Sequence, residues 1–598
     1  MCGIAGAVTL GSSQPIDREG VAAMIRRMIS RGPDGHGLWE DETAAAVLAH
    51  RRLAIIELTP LGAQPMHSHD QRFVVTFNGE IYNFAALREE LVQRGAVLRS
   101  HSDTEVLLEL YARDGVAMLP RLRGMFAFGI WDRLEQTLLL ARDCFGMKPL
   151  YVADNGRRLL FASQVRALLE YPGVDRTADP AAVAAFRLWG SIPEPRTLFK
   201  EISALPAGHS MMVRRGRVER PQPFLTLEDL VVQGQAAPRV DPAVALRDSV
   251  AHHLVADVEV GCFLSAGVDS SALLALMRDC GQSQVRAITL DFEEFRGTEN
   301  FEADMAGAMA ARYGATHEVH TITRADFEGA ENDILEAMDQ PSIDGVNTWF
   351  VARAARRMGL KVALSGLGAD ELMAGYSTFD TVPQTMRWTR NARRVPGGMA
   401  VVRLAWPMVA RHFFPEQPKA RYIFEHGDSL ESAYLLRRCL VPPSALRALT
   451  TDPLVREGLS QLHEEDRLRG LTSGGRLSAL HDIALLESGQ YMRNQLLRDT
   501  DWAGMAHALE IRTPFVDTAL WRALAPEMNS YRGRRGKAML AAAPSLPIPA
   551  AVVERPKSGF GIPVDRWTGA ASGRPDLTTW ADRVLHAYGQ ATKLDLAR

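Results

Sequence analysis

Apolar residues change their spacing twice along the chain. Over residues 1 to about 210 they fall in short runs with strand-like character, at 3–10, 73–77, 124–131, 137–142 and 158–162. Helical spacing intervenes at 19–30, 85–93 and 103–114. This alternation predicts an α+β domain with mostly antiparallel pairing. Residues 211–241 carry Pro221, Pro223 and Pro238, with Pro242 just beyond, and read as a linker. From 242 to about 370 strand and helix alternate regularly. Strands are expected at 257–264, 285–292, 316–322 and 361–365, which implies a parallel sheet covered by helices. Residues 380–598 read as largely helical. The expected organisation is therefore 1–210, a linker at 211–241, and 242–598.

Composition narrows the classes. The 598 residues are 46% hydrophobic and 23% charged, as in ordinary globular proteins. A formal net charge of −3 gives no footprint for nucleic acid or an anionic membrane. The five cysteines, Cys2, Cys144, Cys262, Cys280 and Cys439, are scattered and form no CxxC pair. Neither a disulfide framework nor a thiolate metal site is expected. The amino terminus lacks the charged region of a secretory signal. The apolar stretch 398–414 is interrupted by Arg403 and Arg411 and is too short to span a bilayer. A cytoplasmic protein is expected. His317 and His320 lie on one expected strand and would face opposite sides, so a shared metal is not expected. The basic run 387–394 reads as a solvated helix face.

Two stretches carry candidate chemistry. The first is Phe263-Leu-Ser-Ala-Gly-Val-Asp-Ser-Ser271, between a run with Val258, Val260 and Leu264 at alternate positions and the helix-forming Ala272–Met277. A strand, a tight polar loop and a helix N-terminus would present backbone N–H groups to a phosphate. Ser265, Gly267, Ser270 and Ser271 would let oxygen atoms approach closely. Asp269 would repel a bare phosphate and makes sense with a divalent cation between them. A capped turn between strand and helix accounts for the same residues. No Gly-Lys-Ser/Thr follows, so the loop is not of the Walker type.

The second stretch is the amino terminus. Removal of Met1 would leave Cys2 with a thiol nucleophile beside an α-amine of pKa roughly 8 that can act as its base. Polar segments that could serve it follow at 31–35, 50–53, 78–83 and 102–105. A free amino acid needs an Arg for its carboxylate and acids for its amine, which Arg52, Glu80 and Asp103 can supply. A tetrahedral oxyanion needs N–H donors, which Asn78 and Gly79 can supply. The segment 78–83 reads as a polar hairpin or turn after a strand.

Met1-Cys-Gly-Ile-Ala-Gly, Arg31-Gly-Pro-Asp, Asn78-Gly-Glu-Ile-Tyr-Asn, Ser102-Asp-Thr-Glu and Ala141-Arg-Asp-Cys-Phe-Gly-Met-Lys-Pro-Leu-Tyr151 resemble the class II glutamine amidotransferase domain. The resemblance implies an N-terminal-nucleophile αββα sandwich that hydrolyses glutamine. Cys2 would be the nucleophile, Asn78 and Gly79 the oxyanion hole, Arg52 the carboxylate contact, and Glu80 and Asp103 the amine contacts. The loop at 263–271 is similar to the pyrophosphate loop of the glutamine-hydrolysing asparagine synthetase family, with Ala266 where Gly is usual. Leu364-Ser-Gly-Leu-Gly-Ala-Asp-Glu-Leu-Met-Ala-Gly-Tyr376 resembles that family's second nucleotide loop, and Arg555-Pro-Lys-Ser-Gly-Phe-Gly-Ile-Pro563 its late lysine loop.

These matches imply an α/β ATP-pyrophosphatase domain, of the adenine nucleotide alpha-hydrolase-like kind, with a helical C-terminal region. Leu264, Ser265, Gly267, Asp269, Ser270, Ser271, Leu290, Ser365, Gly366 and Lys557 would meet ATP or pyrophosphate. Asp269 and Asp370 would hold Mg²⁺. The partners implied are glutamine, ATP and an acidic acceptor, with a homodimer as one possible assembly and no nucleic acid or membrane. The leading reaction is aspartate to asparagine through an acyl-adenylate, with glutamate, AMP and pyrophosphate formed and ammonia carried through an internal tunnel. The alternative is the same transfer onto a sugar acid or a natural-product intermediate. Three departures motivate it: Leu367 stands where the family often has Glu, and Asp499 and Trp502 stand at basic positions of a Lys-x-Asp-Arg pattern.

Overall fold

The computed structural model describes residues 2–11, 15–298, 301–396, 398–414, 417–555, 567 and 577–594. In the amino-terminal half two antiparallel sheets lie face to face. One has six strands, with Gly3–Thr9 between Ala46–Arg52 and Arg158–Ala162. The other has seven and is centred on Phe73–Ile81, Gly124–Asp132 and Thr137–Arg142.

The strand period of two decides the layering. From the first sheet Ile4, Val8, Leu48 and Phe161 meet Val74, Leu138 and Leu140 of the second. The intervening Ala5, Ala7 and Val47 face the other way, onto Met24 and Met28 at the helix Arg18–Arg27. On the far side of the second sheet Val75, Phe77 and Phe128 pack on Leu107 and Leu110 of the helix Asp103–Asp114. The half is an αββα sandwich.

One local expectation is corrected. Residues 78–81 are not a turn but the end of the strand Phe73–Ile81, paired through Ile81 with Gly124. The polar side chains hid this continuation, because they point into a site rather than into solvent. The proline-bearing stretch 211–241 contains the end of the strand His209–Arg214, the short strands Arg217–Val218 and Gln222–Pro223 that pair with it, and a helix, Leu227–Gln235, capped by Thr226 and Asp229.

The second half is built on a five-stranded sheet in which every pair is parallel. Its order is Thr316–Ile322, Arg286–Phe292, Val260–Phe263, Val362–Leu364, Glu510–Arg512. The fifth strand lies inside the region expected to be helical. It is three residues long and pairs only through tertiary contact, so its own sequence carries almost no strand pattern. The remaining regular structure in 380–594 is helical among the described residues. The chain leaves Val260–Phe263 toward one side and returns to place Val362–Leu364 on the other. This makes a topological switch point, where the loops after both strands open side by side.

The halves share one hydrophobic core, in which Phe145 of the first packs edge-on against Trp521 of the second at 5.6 Å.

Candidate active sites

Register brings the amino-terminal groups together. Gly3 pairs with Arg51, so Cys2, one residue earlier, lies opposite Arg52. The Cys2 backbone N donates to Asn78 Oδ1 of the facing sheet at 3.0 Å. Asn78 is fully buried, and among the described residues its Nδ2 has no partner. A buried amide left with free N–H groups is a ready donor for an oxyanion. Gly79 follows at φ +151°, and a Cβ there would lie 2.1 Å from the Met125 carbonyl oxygen. Only glycine fits that approach.

Arg52 donates to the Thr59 carbonyl at 2.9 Å and to the Glu57 carbonyl, which fixes its guanidinium at the strand end. Glu80 shares a strand face with Asn78, and its Oε2 has no partner among the described residues. Burial, then the charges of Glu510 and Asp103, push its pKa well above the carboxylate range. Asp103 accepts from the Ile81 N–H at 3.0 Å and is raised to about 6, chiefly by burial. Burial also pushes the Cys2 thiol up, so the nucleophile rests protonated and needs a base at hand.

In the second half the loop after Val260–Phe263 folds on itself. Ser265 N donates to Ser270 Oγ at 3.0 Å, and Gly267 N to Ser265 Oγ at 3.1 Å. Gly267 caps the helix Val268–Asp279. Ala266 does not take a positive φ, so its methyl is tolerated where the related loops have glycine. Ser271 Oγ is buried without a partner among the described residues. Leu264 N–H donates to the Ile288 carbonyl at 2.8 Å, and Leu290 lies two residues further along that neighbouring strand. The second loop rests directly on the first, since a Cβ on Gly366 would lie 3.1 Å from both Asp269 Cβ and Ser270 N. Ser365 N–H donates to the Arg512 carbonyl at 2.8 Å.

Asp269 and Asp370 converge on one cation, the Lys537 ammonium, at 2.5 and 2.6 Å. Two carboxylates meeting at a point beside a phosphate-type loop suit a hard divalent ion, which commonly uses one or two carboxylates and completes its shell with phosphate and water. The donor set fits Mg²⁺. Lys537 escaped sequence reasoning. It sits at the start of the helix Arg535–Ala542 in an arginine-rich patch, and its only signal was its isolation among arginines. Lys557 lies outside the described residues.

The three departures resolve differently. Leu367 packs against the core. Four residues on, Glu371 is buried and raised to about 8, by burial and then the Asp370 charge; Tyr376 OH donates to it at 3.0 Å. Asp499 and Trp502 form a unit, with Trp502 Nε1 donating to Asp499 Oδ1 at 2.7 Å and Ser342 Oγ to Oδ2 at 2.8 Å. Burial, then the Asp344 charge, raise Asp499 to about 8. The acid and the indole satisfy each other.

Two contacts join the sites. Arg31 donates through Nε to the Cys2 carbonyl at 3.1 Å and grips Asp501 of the second half with both Nη atoms, at 2.7 and 3.0 Å. Arg512, whose backbone holds Ser365, brings its guanidinium within 3.6 Å of Glu80.

A nucleophile-bearing sandwich joined to a nucleotide-type parallel sheet defines a two-site amidotransferase. Family comparison agrees: residues 1–225 match the glutamine amidotransferase domain and 243–589 the asparagine synthase domain. A Mycobacterium tuberculosis protein provisionally named a glutamine-hydrolysing asparagine synthetase is 32% identical, over 100% of this chain and 92% of that protein. Glutamine-hydrolysing asparagine synthetase 1 of Bacillus subtilis is 30% identical, over 98% and 90%. Amidase chyE of Penicillium rubens is 30% identical over 58% of this chain and 54% of its own length. The chain belongs to the asparagine synthase family and is a glutamine-hydrolysing amidotransferase of it.

Proposed function

We propose that the chain moves the amide nitrogen of glutamine onto a carboxylate through an acyl-adenylate. Once Met1 is removed, the Cys2 amine takes the thiol proton and sulfur attacks the glutamine amide. The oxyanion meets Asn78 Nδ2 and the Gly79 N–H; Arg52 holds the carboxylate, and Glu80 and Asp103 the amine. Ammonia leaves, and water releases glutamate from the thioester.

In the second half a carboxylate oxygen attacks the α-phosphorus of ATP, and pyrophosphate departs. Ammonia then attacks the acyl carbon, AMP leaves, and one proton is lost from nitrogen. Glu371, raised to about 8, can receive it in its ionised form, which grows as pH approaches 8. Asp269 and Asp370 would hold Mg²⁺, which supplies charge neutralisation on the phosphates. Lys537 orients the two carboxylates, and Lys557 is assigned to departing pyrophosphate. Ammonia must travel unprotonated, so a dry passage between the halves belongs to this reading. ATP and glutamine as substrates suit a cytoplasmic enzyme.

The observation that carries the reading is the pair of buried links: Arg31 ties the Cys2 backbone to Asp501 of the second half, and Arg512 ties Glu80 to Ser365 of the nucleotide loop. Aspartate is the first acceptor to test, because the related synthetases are named for asparagine. A different carboxylate is the second reading, favoured by the neutral Asp499–Trp502 unit at positions read as basic in the family pattern. Purified protein with glutamine, ATP and acceptor should form AMP, pyrophosphate and glutamate together. Release of ADP would refute adenylation.

A further inference from the structure

A cavity of about 200 Å³ opens where the two halves meet. Trp189 and Ser191 of the first half face Lys419, Arg438 and Leu440 of the second. Its floor is the helix Glu487–Leu497, wound as a π-helix, which contributes Tyr491 and Gln495. Such widened turns recur at functional sites.

The cavity adjoins the adenylation residues. Arg438 lies over the rings of both Tyr491, at 3.9 Å, and Tyr376, at 4.4 Å. Tyr376 in turn donates to Glu371, the neighbour of Asp370.

Its electrostatics are one-sided. Arg438 is matched by Glu487 at 2.8 Å. Among the described residues Lys419 is not matched: its ammonium donates to the Cys439 and Arg437 carbonyls, and no carboxylate pairs with it. Burial, together with Arg437 and Arg438, disfavours its charge. A half-buried ammonium among cations is costly unless an anion joins it. The nearby acids are turned away. Glu487 serves Arg438, Glu464 serves Arg467 and Trp189, and Asp344 accepts from Gln495. No Asp or Glu among the described residues lines the cavity.

We propose that this cavity is the acceptor subsite and takes a carboxylate that carries a second acidic group on an apolar body, without an ammonium beside it. This rests on the adenylation reading above. Lys419, with Arg438 behind it, holds the second acid. Trp189, Ile343 and Leu440 cover the apolar body. An α-ammonium, as in aspartate, would meet no lining carboxylate among the described residues.

The test uses the full-length enzyme with Mg²⁺ and a non-hydrolysable ATP analogue, and calorimetry with phenylsuccinate and with aspartate as probes. Phenylsuccinate should bind at least tenfold tighter. Lys419→Ala should weaken it tenfold or more, leaving glutamine hydrolysis unchanged without lowering the melting temperature, and Lys419→Arg should restore part of the loss. Equal or tighter binding of aspartate, binding of neither probe, or indifference to Lys419→Ala would overturn the proposal. Lys419-dependent binding with no AMP from any carboxylate would overturn the adenylation reading and leave the anion site standing.

Discussion

In the amino-terminal half the chemistry sits on neighbouring strands. Cys2 immediately precedes one strand, Arg52 closes its partner, and Asn78, Gly79 and Glu80 run along a strand of the facing sheet. Backbone ladders set these positions within each sheet, and the Asn78 side chain joins the two sheets at Cys2. In the carboxy-terminal half three distant residues, Asp269, Asp370 and Lys537, meet through side chains alone. The first site is held by hydrogen-bonded backbone, the second by balanced charge. The first should therefore tolerate electrostatic change and fail on loss of a single atom. The second should be sensitive to any change of charge.

The largest effect expected is at Cys2. Cys2→Ala should abolish glutamate release, by at least about a thousandfold, while AMP formation continues with added ammonium salt. Loss of both activities would break the division into two separable sites. Next comes Asp370→Asn, which should lower AMP formation about a hundredfold and leave glutamine hydrolysis within twofold. Equal loss of both would show that the charge cluster supports the whole fold rather than one site.

Lys537→Met should expose the cost of the cluster directly. Two partly buried carboxylates without their ammonium should destabilise the protein by about 1–3 kcal/mol. Added Mg²⁺ should recover a large part, read as a shift in denaturation midpoint. Asp501→Asn keeps shape but weakens the grip of Arg31. Glutamate should then form in about two- to fivefold excess over AMP; an unchanged ratio would remove Arg31 as a link.

The remaining prediction concerns pH. Asp499 is raised from 3.8 to about 8 in the folded protein. Between those values the folded state holds a proton that the unfolded state has lost. Its contribution is therefore largest at acid pH and falls as pH rises toward 8, by at most about 1.4 kcal/mol per unit. Asp499→Asn should flatten that slope in denaturation curves and leave acceptor binding unchanged, because the side chain is spent on Trp502 and Ser342.

Local patterns were informative wherever a residue's task is set by its own neighbours. The strands 137–142, 158–162 and 316–322 and the helix 103–114 were legible to the residue, since period and caps are local. The loop 263–271 announced itself through small residues between a strand and a helix. The strand Glu510–Arg512 did not, because three residues hold no period and pairing is supplied by Val362–Leu364. Lys537 did not, because a lone lysine acquires meaning only from two acids brought to it. Asp499 and Trp502 looked like a change of charge toward a substrate; folding turned them toward each other.

What the chain's order alone determined is the pair of chemistries: a cysteine at position 2 and serine-rich loops carrying acids, each dictated by short-range bonding. What only the tertiary structure decided is how they are joined. Burial removes water from Arg31, Asp501 and Arg512, and a charge without water must find its partner across the fold.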